Sequence, residues 1–379
     1  MGRKRVLISR IKPGQTIAED VLNDGGKLIV PKNTVLTEEM ISKLKQYSVF
    51  AVFVEQSDEE VASADNAKTE PADEVTTEEL LEDGYLQKVQ KSQEFISFQE
   101  NYTFTVKNLE GSLRKLVAGD EDFGADGLLE NARNVLDNTS NPLDLLDMLH
   151  CMRGYDDLTF IHSLNVGILS HMIAKAAIRN ISDEDLQVIT LAGMLHDVGK
   201  LMIPEEYITK RGKLTDEEYQ EVKKHTLHGY NIIKKQKGLD SRIAQVALFH
   251  HERCDGTGYP QGVSMRKIPK FARIVAIADV YDAMTCDRVY RQGVCPFEVI
   301  EIFEKKELVA YDPAFMLPFL NKVVTSYLHS KVVLSSGDRG EVIMINQDNL
   351  SRPVVLLDDN KGFKDLSREK NLTIDKVIG

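Results

Sequence analysis

A chain of 379 residues, 42% hydrophobic and 28% charged, is long enough for two or three domains of ~150 residues, and its composition excludes a chain that is collagenous or disordered throughout. Residues 55–83 hold 12 acidic side chains against the single Lys68 and so carry −11 of the formal net charge of −12; the remainder is close to neutral and has no basic stripe, which excludes duplex nucleic acid as an expected ligand. Cys151, Cys254, Cys286 and Cys295 form neither a CxxC pair nor a disulfide framework, no signal-peptide core follows Met1, and the longest stretch without Asp, Glu, Lys or Arg, 158–174, is too short and polar to cross a bilayer, so a cytoplasmic protein without a membrane span is expected.

Residues 1–54 read as a small α+β accessory domain. Short strands are expected at 5–8, 16–21, 27–30 and 49–54, with turns at Pro13-Gly14 and Asp24-Gly25-Gly26. Thr37 has the character of an N-cap followed by two acidic residues, opening a helix that runs to about Tyr47. Residues 55–78 lack large apolar side chains and are expected to be an acidic flexible linker. Connecting helices occupy 79–126. Over 80–117, Leu86, Val89, Phe98, Leu109, Leu113 and Leu116 recur at helical period; this stripe either packs on its own chain or joins two chains in a homodimer, and the spacing alone leaves both open. From 127 to 330 the pattern is helical apart from a Gly-rich stretch at 255–262, without βαβ alternation. Residues 331–379 return to strands at 332–334, 341–345 and 354–357, a small β module. The fold class is therefore mainly α, with a small domain at each end.

The chemistry-bearing residues lie in the helical part. A single histidine on a helix is usually an ordinary core or surface residue. Here, however, His196-Asp197 ends an apolar run at 188–195, His250-His251 ends another at 244–249, and Asp279 ends a third at 272–278. Buried imidazoles and carboxylates at such positions need partners, and a metal ion is a strong one. With His162 on a further apolar helix and His225 on a more polar one, these residues can converge on one interior site.

The motifs His196-Asp197-Val-Gly-Lys200, His250-His251-Glu-Arg-Cys-Asp-Gly-Thr-Gly258-Tyr259-Pro260, Ala278-Asp279-Val-Tyr-Asp282 and Asp287-Arg288-Val-Tyr-Arg291 closely resemble, in order and spacing, the HD-GYP branch of the HD-domain metal phosphohydrolases. The resemblance spans about 127–330 and implies an all-helical HD-type catalytic domain that hydrolyses cyclic di-GMP, a bacterial second messenger, to pGpG, with a further cut to GMP left open. It implies two divalent metal ions, iron or manganese. His162, His196, Asp197 and Asp279 would hold one; Asp197, His225, His250 and His251 would hold the other, with Asp197 bridging. Water activated between the metals would attack phosphorus, Lys200 would face the phosphate, Arg288 and Arg291 would grip it, and the Gly258, Tyr259 and Pro260 loop would shape the nucleotide pocket.

Two departures from the family pattern bear on these expectations. Leu158 stands where some relatives carry a Glu that recruits a third metal, so two metals are expected, and Cys254 replaces a larger aromatic residue. A cyclic di-GMP receptor without turnover, or a hydrolase of another cyclic dinucleotide, is the alternative. His150, His171 and His329 match no motif, His228 could at most lie beside the site, and Asp282 is placed to orient a ligand through a hydrogen bond.

Overall fold

In the computed structural model, the described residues are 3–7, 13–18, 21–22, 28–37, 40–41, 51–55, 92–137, 145–146, 148–149, 152, 158–210, 212–285, 295–305, 309–358 and 362–378. They fall into two compact units, Met1–Thr76 and Thr77–Gly379.

In the first unit, β1 (Arg3–Leu7) pairs antiparallel with β4 (Ala51–Glu55), and β2 (Val21–Leu22) with β3 (Leu28–Val30). Ile17, Val21, Val30, Leu36, Ile41, Val52 and Val54 make its core. The N-cap expected at Thr37 is formed, with Met40 N–H donating to Thr37 Oγ1 at 3.3 Å. The helix expected beyond Ile41 lies outside the described residues, as does nearly all of the linker.

The second unit begins with α1 (Gln93–Ala118), capped by Ser92 and ended by Gly119 in the left-handed region. Its stripe of Phe95, Phe98, Tyr102, Leu109, Leu113 and Leu116 is buried in the chain's own core. The part of the expected helical stretch before residue 92 lies outside the described residues. Next come α2 (Ala125–Leu136), α3 (Leu158–Ala177) and α4 (Asp183–Leu195). A 3-10 turn, Val198–Met202, leads to α5 (Glu205–Ile208), α6 (Asp216–Lys223), α7 (His225–Lys234) and α8 (Ser241–Phe249). After the Gly-rich loop come α9 (Lys270–Thr285), α10 (Pro296–Lys305) and α11 (Pro313–Ser326).

Helices α3, α4 and α9 are apolar around most of their circumference, which is the pattern of helices enclosed by others. They are the centre of the unit: Leu164, Ile168, Ile173, Ile189, Leu195, Ile274 and Ile277 are all fully buried. The polar groups these helices carry inward are therefore the exceptions that need an explanation.

The chain ends in an antiparallel sheet ordered β8-β7-β6-β5-β9, formed by Lys331–Leu334, Arg339–Met344, Val354–Leu357, Phe363–Asp365 and Ile374–Val377 as β5 to β9. The last two strands are not legible in the sequence, since each has only three or four residues and little apolar alternation. Val332, Leu334, Val342, Val355 and Ile374 belong to the same apolar core as the helices. Among the described residues no helix is long and apolar enough to cross a membrane.

Candidate metal centre

Helix ends deliver most of the site. His196 follows the last residue of α4, His250 follows the last residue of α8, and His225 lies just beyond α6 at the start of α7. The last turn of a helix leaves carbonyls without partners, and these three imidazoles occupy them. His196 Nδ1 meets Gly193 O at 2.7 Å, His225 Nδ1 meets Val222 O at 2.6 Å, and His250 Nδ1 meets Ala247 O at 3.0 Å. A carbonyl only accepts, so each Nδ1 carries the proton and each Nε2 presents its lone pair to the interior. His162, in the second turn of α3, is fixed in the same sense by a carboxylate, its Nδ1–H donating to Asp282 Oδ2 at 2.7 Å. Asp282 stands three residues after Asp279 on α9.

The Nε2 atoms converge on Asp197, in the turn after α4. Its two oxygens face different groups: Oδ2 lies 3.3 Å from His196 Nε2 and 3.9 Å from His162 Nε2, while Oδ1 lies 3.3 Å from His225 Nε2 and 3.6 Å from His250 Nε2. Asp279 Oδ1 is 3.1 Å from His162 Nε2, and its Oδ2 is 3.8 Å from His251 Nδ1. Two sets of donors result, Asp197 with His225, His250 and His251, and His162 with His196 and Asp279, each with ligand atoms within 4.8 Å of one another. All seven residues expected from the sequence as metal ligands are thus brought together.

His196 Nε2 and Asp197 Oδ1 are buried without a hydrogen-bond partner. Leaving a buried imidazole nitrogen and a carboxylate oxygen so is costly, and divalent cations coordinated by both would remove the cost. The residues present therefore fit the implied metal ions.

The titration behaviour agrees. Burial would raise both carboxyls, yet the adjoining His196 imidazole and the Lys200 ammonium hold Asp197, and the His162 hydrogen bond holds Asp279, well below the usual carboxylate range. Burial pushes His225 down to about 4 and also lowers His250 and His251, which keeps all three neutral at pH 7. At His162 burial acts in the same direction but is outweighed by hydrogen bonds to Asp279 and Asp282, and its pKa rises to about 10. A cation at His162 must displace that proton.

Lys200 extends from the 3-10 turn and pairs its Nζ with Asp197 Oδ2 while keeping 27% of its side chain exposed. It bridges the cluster and solvent. Gly199 beside it is required by packing: a Cβ there would stand 1.9 Å from His225 O and 2.5 Å from Gly229 N, so only glycine lets α7 approach closely enough to set His225 against Asp197.

The Gly-rich loop closes another side of the cluster. Tyr259 stacks on His251, with ring centroids 4.7 Å apart and planes at 25°, and the Tyr259–Pro260 peptide is cis. A Cβ on Gly258 would meet Arg253 N at 2.4 Å and His251 O at 2.5 Å, so the loop can fold back on the histidine pair only through a glycine. Glu252, buried to 2% exposure, accepts Gln261 N–H at 2.7 Å, Gly262 N–H at 3.1 Å and Val263 N–H at 3.0 Å. The sequence reasoning missed this clamp; its signal was an acid directly after the histidine pair and ahead of a Gly-rich loop. Tyr219 and Lys223 on α6 were also missed, Lys223 Nζ lying 4.5 Å from the Tyr219 ring centroid and 5.2 Å from that of Tyr259.

The remaining expectations resolve simply. Leu158 is the first residue of α3, and leucine offers no ligand atom. Burial raises the Cys254 thiol, making it a poor thiolate. His171 meets Thr190 Oγ1 at 3.1 Å, away from the cluster, and His329 meets Glu341 Oε1 at 3.0 Å on the surface. Arg288, Arg291 and His150 lie outside the described residues.

Residues 159–315 match the HD domain family. The chain therefore contains an HD domain. It is similar to a cyclic di-GMP phosphodiesterase of Pseudomonas aeruginosa, 34% identical over 215 residues that cover 57% of this chain and 51% of that protein. A cyclic di-GMP phosphodiesterase of Thermotoga maritima is 37% identical over 182 residues, 47% of this chain and 48% of the relative. A 3'3'-cGAMP-specific phosphodiesterase of Vibrio cholerae is 35% identical over 152 residues, 40% of this chain and 32% of the relative. The chain thus spans about half the length, or less, of the curated relatives it matches. A solved structure of an HDG"Y"P protein from Bdellovibrio bacteriovorus shares the fold, with a TM-score of 0.51 at 17% identity over 84% of this chain and 98% of that one. HD-domain phosphohydrolases use divalent metals, and the His and Asp cluster offers such ions a donor set of nitrogen and oxygen.

Proposed function

We propose that this chain is a two-metal phosphodiesterase that opens cyclic di-GMP to linear pGpG and then cuts the product to GMP. The observation that carries the reading is the divergent carboxylate of Asp197, whose oxygens address separate donor sets 3.3 Å away on either side. In this reading His162, His196, Asp197 and Asp279 hold one cation, and Asp197, His225, His250 and His251 the other. Iron or manganese suits a mixed imidazole and carboxylate set without sulfur. When bound, such a pair supplies an activated water and neutralises charge on the phosphoryl oxygens.

The chain's own residues supply the rest. Lys200, charged and partly exposed at the rim, binds a nonbridging phosphate oxygen and stabilises the charge that grows there. Tyr259, held flat on His251, offers an aromatic wall for the nucleotide, and Glu252 keeps it there through the loop. Arg288 and Arg291 follow α9 in sequence and are proposed as further phosphate contacts. The catalytic region is assigned to 127–330, in the reducing compartment that the free Cys254 and Cys295 suit.

The test is anaerobic incubation of protein loaded with ferrous iron or manganese with cyclic di-GMP, 3'3'-cGAMP and a phosphomonoester, following products by chromatography. Linear pGpG followed by GMP, formed fastest from cyclic di-GMP, is expected. Preference for 3'3'-cGAMP would move the substrate assignment to the second group of relatives, and tight binding of cyclic di-GMP with no product would make the chain a receptor.

A further inference from the structure

A buried polar chain runs from the metal centre to α1, a helix that carries none of the seven clustered residues. Tyr102, 1% exposed, stands in the middle of α1 against Phe98, with ring centroids 5.6 Å apart. A tyrosine hydroxyl buried among apolar rings needs a hydrogen-bond partner. Tyr102 Oη finds Asn165 Oδ1 on α3 at 2.6 Å. Asn165 Nδ2 lies 2.9 Å from Asp282 Oδ1, and Asp282 Oδ2 lies 2.7 Å from His162 Nδ1. Asn165 and Asp282 are each 4% exposed.

The direction of every link follows from the member that can only accept. Asp282 receives N–H groups on both oxygens, from Asn165 and from His162. That turns the Asn165 amide so that its NH2 faces Asp282 and its carbonyl faces α1, and Tyr102 must therefore donate. Without the hydroxyl, the carbonyl of Asn165 loses the donor that holds it on the α1 side and the amide is free to turn. The reversed amide would set a carbonyl oxygen against a carboxylate oxygen and push Asp282 off the His162 ring.

We propose that Tyr102 is a positioning residue of the metal centre, fixing through Asn165 and Asp282 the ring plane and tautomer with which His162 presents its Nε2. The proposal rests on the two-metal reading given above. It makes α1 a working part of one half of the centre, that of His162, His196 and Asp279; no residue of the relay belongs to the His225, His250 and His251 half. Helix α1 also packs against α3, against the 3-10 turn that bears Lys200 and against α7. A shift of α1 along its axis would break the relay at Tyr102.

The experiment is calorimetric titration of manganese alone into the metal-stripped full chain, for the wild type and three variants. Wild type should bind two ions. Tyr102→Phe deletes one oxygen and keeps the ring packing; it should weaken one of the two ions by about 10-fold to 100-fold and leave the other unchanged. Asn165→Ala should give the same selective loss, and the double variant no further loss, because the two residues act in one relay. Leu109→Ala, a fully buried position on the same helix, should lower Tm while both ions bind as in wild type. Two wild-type affinities in Tyr102→Phe, or the same selective loss in Leu109→Ala, would overturn the positioning role while the two-metal reading stood. A wild type that binds no manganese would overturn both.

Discussion

At Asp197 a single carboxylate is asked to serve two donor sets, and its neighbours show how it stays charged while buried. The His196 imidazole and the Lys200 ammonium beside it favour the ionised form. Lys200→Ala should therefore leave two metals bound while lowering kcat by about 10²-fold to 10³-fold, the usual cost of losing one preorganised partner of a charged transition state; metal analysis beside kinetics checks the split. His171 gives a second residue-scale prediction. Burial lowers its pKa from 6.5 to about 4 in the folded chain, so between these values the unfolded state holds the extra proton. Stability present above pH 6.5 is then lost as pH falls toward 4. His171→Gln should make the acid decline of the urea midpoint shallower over that interval, and an unchanged slope would remove His171 as a contributor. His196, Asp197, His250, His251 and Asp279 were legible because ionisable side chains end apolar runs, and His162 and His225 joined them as ligands through the family resemblance of the motifs. Their geometry was not, since the i to i−3 bonds that point His196, His225 and His250 inward are made by helix termini whose ends a sequence fixes only to within a few residues.

Among the elements, close approach is what the glycines of the motifs secure. Gly199→Ala should force the 3-10 turn from α7, since the new Cβ would overlap the backbone of His225. A cost of about 1–3 kcal/mol in chemical denaturation is expected, together with loss of metal from the His225 half. Glu252→Ala removes the acceptor of three loop N–H groups. We expect a loss on the order of 2 kcal/mol in stability and a rise in KM with Tyr259 no longer held on His251, while the metal content stays at two. The helices α3, α4, α8 and α9 were legible from their apolar runs. The clamp by Glu252 and the link from Tyr102 to Asn165 were not, because they join residues far apart in sequence by hydrogen bonds that leave no periodicity.

Over the whole molecule, composition marks the boundary near the acidic stretch, but it does not mark how the last 49 residues attach. The closing sheet shares its core with the helices, and Glu304 of α10 accepts Leu350 N–H at 2.7 Å and Ser351 N–H at 3.1 Å, while Arg352 pairs with Glu301 at 2.8 Å. A chain ending at 330 should therefore expose apolar core, lose its cooperative thermal transition and aggregate. A chain beginning at 77 retains every clustered residue and should bind the same two metal ions, readable by elemental analysis. The expectations about metal and activity depend on one carboxylate joining two metal ions. The most direct measurement is the metal content of the wild type and of Asp197→Ala by mass spectrometry after anaerobic loading with manganese, with circular dichroism as the check on fold. Two ions per wild-type chain and fewer than one per Asp197→Ala chain of unchanged helicity is the expected result. Two ions retained by a folded Asp197→Ala chain would contradict the bridging carboxylate and with it the mechanism built upon it.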